Sequence, residues 1–162
     1  MNKSRLICKP LTEIADIERT QKSKIYPANT IYVQVSACKK NTERIWYITK
    51  TEGHLEDKYA VIRPRIAVIP KYFVIALENV TEEWMARYVG TNINISMDLF
   101  RHLRVAYHPD ITDQHRVLAL LNPIQDSITE IEERIELERQ AKEWFLKKML
   151  TVISMKEKED DE

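Results

Sequence analysis

Two kinds of apolar spacing divide this chain. Up to about residue 110 short alternating runs dominate, and beyond it one stripe recurs every three or four residues. Thr30-Ile31-Tyr32-Val33-Gln34-Val35 alternates and is β-branched, which predicts a strand. Arg44-Ile45-Trp46-Tyr47-Ile48-Thr49 predicts a second, and Tyr59-Ala60-Val61-Ile62-Arg63 a third, stopped by Pro64. Ile66 to Ile69 predicts another short strand, and Leu103 to Tyr107 the last. Between these, Leu11, Ile14, Ala15 and Ile17 share one side of the segment Leu11 to Glu18, predicting a short helix with Thr12 as N-cap. Lys71 to Leu77 and Thr81 to Tyr88 predict two more helices, the second capped by Thr81 with Glu82 and Glu83 at its positive end.

The connections carry turn chemistry. Arg19 to Lys24 is a polar, basic loop, and Tyr26-Pro27-Ala28-Asn29 is a turn because Pro fixes φ and Asn tolerates the left-handed region. Gly53 marks a second turn. Ser36 to Thr42 is polar with Lys39 and Lys40 at its tip, and Gly90 to Ile95 is a polar loop with two apolar anchors. Ser96 and Asp98 cap a turn holding Leu99, and His108-Pro109-Asp110 breaks the chain before the long stripe.

From about Thr112 to Ser154, apolar residues fall at Val117, Leu121, Ile124, Ile128, Ile131 and Ile135, lapse, and resume at Phe145, Met149 and Val152. Alternating steps of four and three are the seam of a coiled coil. The other face, Glu130, Glu132, Glu133, Arg134, Glu136 and Arg139, is a solvated mixture of signs. A helix of about 42 residues extends roughly 60 Å. Such a stripe needs a partner, either a second copy or another protein's helices, in preference to folding back onto its own domain. Pro123 interrupts it, and a proline that removes a backbone donor is expected to kink or start the helix.

The predicted fold class is therefore α+β. One small globular domain with a mixed β-sheet and short helices spans 1–110, a long C-terminal coiled-coil helix spans 111–155, and 156–162 is expected as an acidic disordered tail. Charge follows the same division. Net charge is zero, but residues 1–110 carry 17 Lys and Arg against 12 Asp and Glu, and residues 111–162 carry 8 against 13. A basic domain joined to an acidic helix suggests two surfaces for two partners, a polyanion suiting the basic one, although an excess of five charges over 110 residues is also ordinary for a solvated surface. No run approaches the roughly 18 apolar residues of a membrane span, and the first residues lack a signal peptide's apolar core, so a cytoplasmic protein without a membrane partner is expected.

Enzyme chemistry is largely excluded. With two glycines there is no phosphate-binding loop and no glycine-rich cofactor loop, so no cofactor is expected. His54, His102, His108 and His115 are dispersed, and Cys8 and Cys38 have no metal-ligand spacing, so no metal is expected. Glu56-Asp57-Lys58 faintly resembles a nuclease's carboxylate–lysine cluster but lacks a spaced partner acid. Ser36 has no neighbouring base, and Cys38 reads equally as a small buried hydrophobe. No catalytic residue is assigned.

Several stretches, in order, resemble the specificity subunit of type I restriction-modification systems in a form with a single target recognition domain. They are Ile25-Tyr26-Pro27-Ala28-Asn29-Thr30-Ile31 with Gln34-Val35-Ser36-Ala37-Cys38-Lys39, then Lys58 to Pro64 with Ile69-Pro70-Lys71-Tyr72. Gly90 to Ile95 with Leu99 follows, then His108-Pro109-Asp110 to Gln114, and finally Ile131 to Met149 with Lys147-Lys148-Met149-Leu150. Two features depart from the family pattern: Asn122-Pro123 inside the helix, and one domain and one helix where typical members carry two of each.

The resemblance implies a non-catalytic DNA-recognition subunit that reads half of a bipartite target through the major groove. Its helix would pair antiparallel with a second copy as a ruler, and dock the methyltransferase (modification) subunit and through it the restriction subunit. It would bind no methyl donor itself. Candidate DNA-binding residues are Lys22, Lys24, Ser36, Lys39, Lys40, Lys58, Thr91, Asn92 and Asn94. Lysines suit phosphates, and Asn can pair twice with adenine. Tyr26, Tyr59 and Tyr72 are expected as core or rim packing. Candidate dimerisation residues are Val117, Leu121, Ile124, Ile128, Ile131, Ile135, Phe145 and Met149. Two rival readings are a decoy that occupies the modification subunit without reading DNA, and a small nuclease dimerised by its coiled coil.

Overall fold

Ile7–Pro10 (β1) runs antiparallel to Arg104–Tyr107 (β8), so the first and last strands of the globular part lie side by side. The computed structural model describes residues 5–36, 46–90 and 94–159, with side chains as far as 149. The chain divides into two compact units, Met1–Leu118 and Ala119–Glu162.

In the first unit, β1 passes into a single helical turn, Leu11–Ile14 (α1), and then directly into Ala15–Arg19 (β2). The helix expected to continue to Glu18 therefore stops at Ile14. Its periodicity was ambiguous, since Ala15 and Ile17 also alternate, and pairing with another strand decides between the two periods. β2 joins a four-stranded antiparallel sheet in the order β2-β7-β4-β5, with β4 Ile31–Gln34, β5 Trp46–Ile48 and β7 Tyr59–Pro64. Three of the five predicted strands are thus present in this sheet, and a fourth, from Leu103 to Tyr107, is β8. Pro64 is the end residue of β7 rather than lying just past it.

Two local expectations are corrected. Gly53 lies in a two-residue strand, Gly53–His54 (β6), paired with Ile25–Tyr26 (β3). Ile66 to Ile69 forms no strand and leads irregularly into α2.

One face of the sheet carries Ile31, Val33, Val35, Ala60 and Ile62, all buried, against the helix Pro70–Trp84 (α2). Pro70 suits the first position of α2, where its missing donor costs nothing. Thr81 was expected to cap a second helix, but α2 runs straight through it. Its hydroxyl donates to Leu77 O at 2.7 Å and accepts from the Trp46 indole N–H at 2.7 Å, so a buried polar side chain is satisfied twice. A π-helical turn, Met85–Val89, follows and ends at Gly90, whose φ of 58° favours glycine. A 3-10 segment, Met97–His102, brings Phe100 into the core, stacked on Trp84 at 5.2 Å.

The long helix α3 spans Ile111–Glu159. It starts at Ile111 and continues through Pro123, so the proline does not start it. Residues 156–159, expected in the tail, are helical, and 160–162 lie outside the described residues. The first turns of α3 belong to the globular unit: Leu118 is buried and Val117 packs against the core. Gln114 is fully buried there, accepting from Ile69 N and donating to Ala67 O and His108 O. The α+β class is as the sequence predicted.

In the second unit every side chain from Pro123 to Met149 is exposed. The stripe Ile124, Ile128, Ile131, Ile135, Phe145 and Met149 is a seam without a cover in the single chain. Charged neighbours one turn apart, such as Arg134–Glu138, line the helix elsewhere.

Candidate nucleic-acid interface

Of the candidate residues within the described chain, Lys22, Ser36, Lys58 and Asn94 gather at one end of the four-stranded sheet, and Lys24 does not. At that end β2 finishes with Arg19, β7 begins with Tyr59, and β4 finishes with Gln34, in the register Arg19↔Ala60 and Gln34↔Tyr59. The turn before β7 closes over this end. Lys58 O accepts from Val35 N at 2.9 Å and Ser36 N at 3.1 Å. Thr20, buried, donates to the carbonyl of Glu56 and approaches Tyr59 O at 3.0 Å, fixing residues 56–59 against the end of β2. Ile95 N donates to Val35 O at 2.8 Å, which holds Asn94 next to the same strand end.

Arg19 is the hub. Its Nε donates to Asp57 O at 3.2 Å and its Nη2 donates to the Ser36 hydroxyl. Lys22 pairs with Asp57 at 3.4 Å, and Lys58 pairs with Glu56 at 2.8 Å. Lys22, Ser36, Lys58 and Asn94 are thus brought together. Lys24 sits apart from them, on the face of the sheet away from the core, where Glu18 takes both Lys24 at 2.8 Å and Arg63. Lys39, Lys40, Thr91 and Asn92 lie outside the described residues. The residues flanking them, Ser36 and Trp46 on one side and Gly90 and Asn94 on the other, are described.

These lysines are occupied, but weakly. The Lys22–Asp57 pair is 72% and 67% exposed, and pairs this open contribute about 0–1 kcal/mol. A phosphate can replace such a partner at small cost. The Lys58 ammonium is held above its ordinary pKa chiefly by its hydrogen bond to Glu56, so it remains a cation. In the cluster Arg19, Lys22 and Lys58 face Glu56 and Asp57, three positive charges against two negative.

Sequence reasoning missed Arg19 and Arg63. Arg19 had been read as the start of a loop, and its role follows only once β2 is seen to pair with β7. Arg63 reads as a strand end, with no sign that its side chain reaches Glu18, two residues along β2 from its register partner Asp16. Tyr26 and Tyr72 are buried in the core and Tyr59 is half-buried at the rim. Among the described residues no group of three or more His, Cys, Asp or Glu is placed to hold a metal ion, and no helix is long and apolar enough to cross a membrane.

No family model matches the sequence, and no curated protein does. Solved structures do. The type I restriction-modification S subunit from M. genitalium superimposes with a TM-score of 0.62 at 16% identity, covering 86% of this chain and 44% of that one. The HsdS subunit from Thermoanaerobacter tengcongensis gives 0.59 at 13%, covering 80% and 39%. A chain from a structure of type I restriction-modification complex assembly and conformational transition gives 0.61 at 14%, covering 85% and 42%. This chain therefore spans about two fifths of the length of each of these three proteins. Its fold is the one seen in the specificity subunits of type I restriction-modification systems.

Proposed function

We propose that this chain is a non-catalytic DNA-recognition module of a type I restriction-modification system, reading one half of a bipartite duplex target. The observation that carries the reading is the sheet end that gathers Lys22, Ser36, Lys58 and Asn94, with Arg19 bonded to Ser36 and to the Asp57 carbonyl, within a fold shared with specificity subunits. Lys22, Lys24, Lys58, Lys39 and Lys40 hold phosphates, whatever the sequence. Ser36, Thr91, Asn92 and Asn94 reach base edges, where Asn suits adenine. The globular domain, 1–110, reads; the helix, 111–155, pairs antiparallel with a second copy through the stripe from Val117 to Met149. It also docks the modification subunit, which brings the methyl donor and through which the restriction subunit joins. The assembly works in the cytoplasm.

Two identical chains related by a two-fold axis meet DNA in the same way on opposite strands. The target is then two inverted copies of one short sequence around an unread spacer. Selection of bound duplexes from a random pool tests this. An inverted repeat is expected; an asymmetric site would mean pairing with a different half-subunit. No enriched sequence would overturn the reading and favour the decoy, and metal-dependent cleavage by the pure chain would favour the nuclease.

A further inference from the structure

The face of the four-stranded sheet away from the core carries three tyrosines in a row. Tyr32 on β4 is paired in register with Tyr47 on β5, and their rings stack at 5.2 Å. Tyr59 on β7, opposite Gln34, meets Tyr32 edge-on at 5.1 Å. Tyr47 is 39% exposed and the other two are half-buried, whereas Tyr26, Tyr72 and Tyr107 belong to the buried set. The Lys58 ammonium lies 5.3 Å from the centre of the Tyr59 ring. The row is therefore continuous with the cation cluster at the sheet end.

Cross-strand aromatic pairs stabilise a sheet, so packing accounts for the rings. It does not account for the hydroxyls, since phenylalanine would pack as well. Among the described residues the Tyr32 and Tyr47 hydroxyls have no hydrogen-bond partner. Burial, together with the neighbouring Tyr59 and Tyr47, pushes the Tyr32 phenol above its ordinary pKa of 10.0, so it stays protonated and able to donate. The rings hold one another in place, so presenting the hydroxyls costs little side-chain freedom. Neutral donors beside a cation suit phosphate oxygens, which tyrosines contact without reading bases.

We infer that Tyr32, Tyr47 and Tyr59 form a phosphate-contacting flank of the DNA interface, extending it from the sheet end onto the outer sheet face. This rests on the DNA-reading function proposed above. It assigns the row to duplex backbone rather than to bases or to a partner protein.

The test compares the full chain with a Tyr32→Phe, Tyr47→Phe, Tyr59→Phe variant, which keeps the rings and removes only the hydroxyls. Binding to a selected duplex and to a scrambled one is measured over a salt series. The variant is expected to lose about tenfold in affinity on both duplexes, the equivalent of one hydrogen bond to a charged acceptor. Its salt slope stays unchanged because no cation is removed, whereas Lys58→Ala lowers the slope by about one. Tyr47→Phe alone, at the most open position of the row, gives a smaller loss of the same kind and serves if the triple variant melts early. Unchanged affinity in both variants would reduce the row to packing. A loss confined to the selected duplex would mean base reading. Either overturns this inference and leaves the proposed function standing. An unmodified chain that binds no duplex at all overturns both.

Discussion

The side-chain carbonyl of Gln114 accepts a hydrogen bond from the backbone N–H of Ile69 at 2.8 Å, linking the first turns of α3 to the segment that enters α2. The Gln114 amide nitrogen donates to His108 O at 2.8 Å and Ala67 O at 3.2 Å, so one side chain satisfies three backbone groups. Gln114→Leu keeps much of the volume and orphans all three. Each orphaned group that water cannot reach costs about 1–3 kcal/mol. Urea denaturation should show a clearly lower midpoint; an unchanged one would mean that water takes over these bonds.

The Trp46–Thr81 bond ties β5 to the middle of α2. Thr81→Val preserves shape but leaves the indole N–H unpaired, for about 1–3 kcal/mol. Thr81→Ser keeps the hydroxyl and should lose less. Thermal melts of the two variants give the comparison, and equal losses would show that the methyl group, not the bond, matters.

Ser96 donates its hydroxyl to Asp98, and this bond holds the carboxyl below its ordinary pKa of 3.8. A depressed carboxyl pKa adds stability that is present above the unfolded value and is lost as pH falls through the folded one. Ser96→Ala should therefore melt earlier than the parent at neutral pH, with the gap closing in acid below pH 3.8. A gap that persists in acid would point to lost packing instead.

Much of this fold was legible from spacing, and the exceptions have one cause. The alternation of Ile31, Tyr32, Val33 and Gln34 announced β4, and the three-four steps after Ile124 announced α3. The failures sit where a distant partner decides. Ala15 and Ile17 fit either period until β7 pairs with β2. Thr81 resembles a cap until Trp46 is found beside it. Gln114 carried no local signal at all, because its three partners lie on other segments or in the turn before the helix. At the candidate interface the individual lysines could be picked out by type. Arg19, which bonds Ser36 and the backbone of the Asp57 that Lys22 pairs with, could not, because its role is defined by what surrounds it.

Assembly can be checked directly. Ile128→Glu with Ile131→Glu would place charges in the uncovered seam, at several kcal/mol for each one buried. Light scattering at micromolar concentration should give a dimer for the parent and a monomer for the variant. A monomeric parent would remove the two-fold reading.

Base and backbone contacts should separate under mutation. Asn92→Ala is expected to relax preference in both half-sites at once, each lost contact costing about 1–3 kcal/mol. Lys39→Ala with Lys40→Ala should weaken every sequence alike and flatten the salt dependence. Titrations of matched and mismatched duplexes at two salt concentrations distinguish the patterns, and identical behaviour of the two variants would refute the division of labour.

The pairing of Ile7 with Tyr107 means that the globular unit is entered and left through neighbouring doors. A body with adjacent entrance and exit can be lifted out of a chain and replaced by another of different contents without lengthening the path between its neighbours. The stretch between β1 and β8 is, in that sense, a cartridge. Under the function proposed above, a new preference would be exchanged as a whole through it, provided the contacts of Gln114, Val117 and Leu118 with that body are kept.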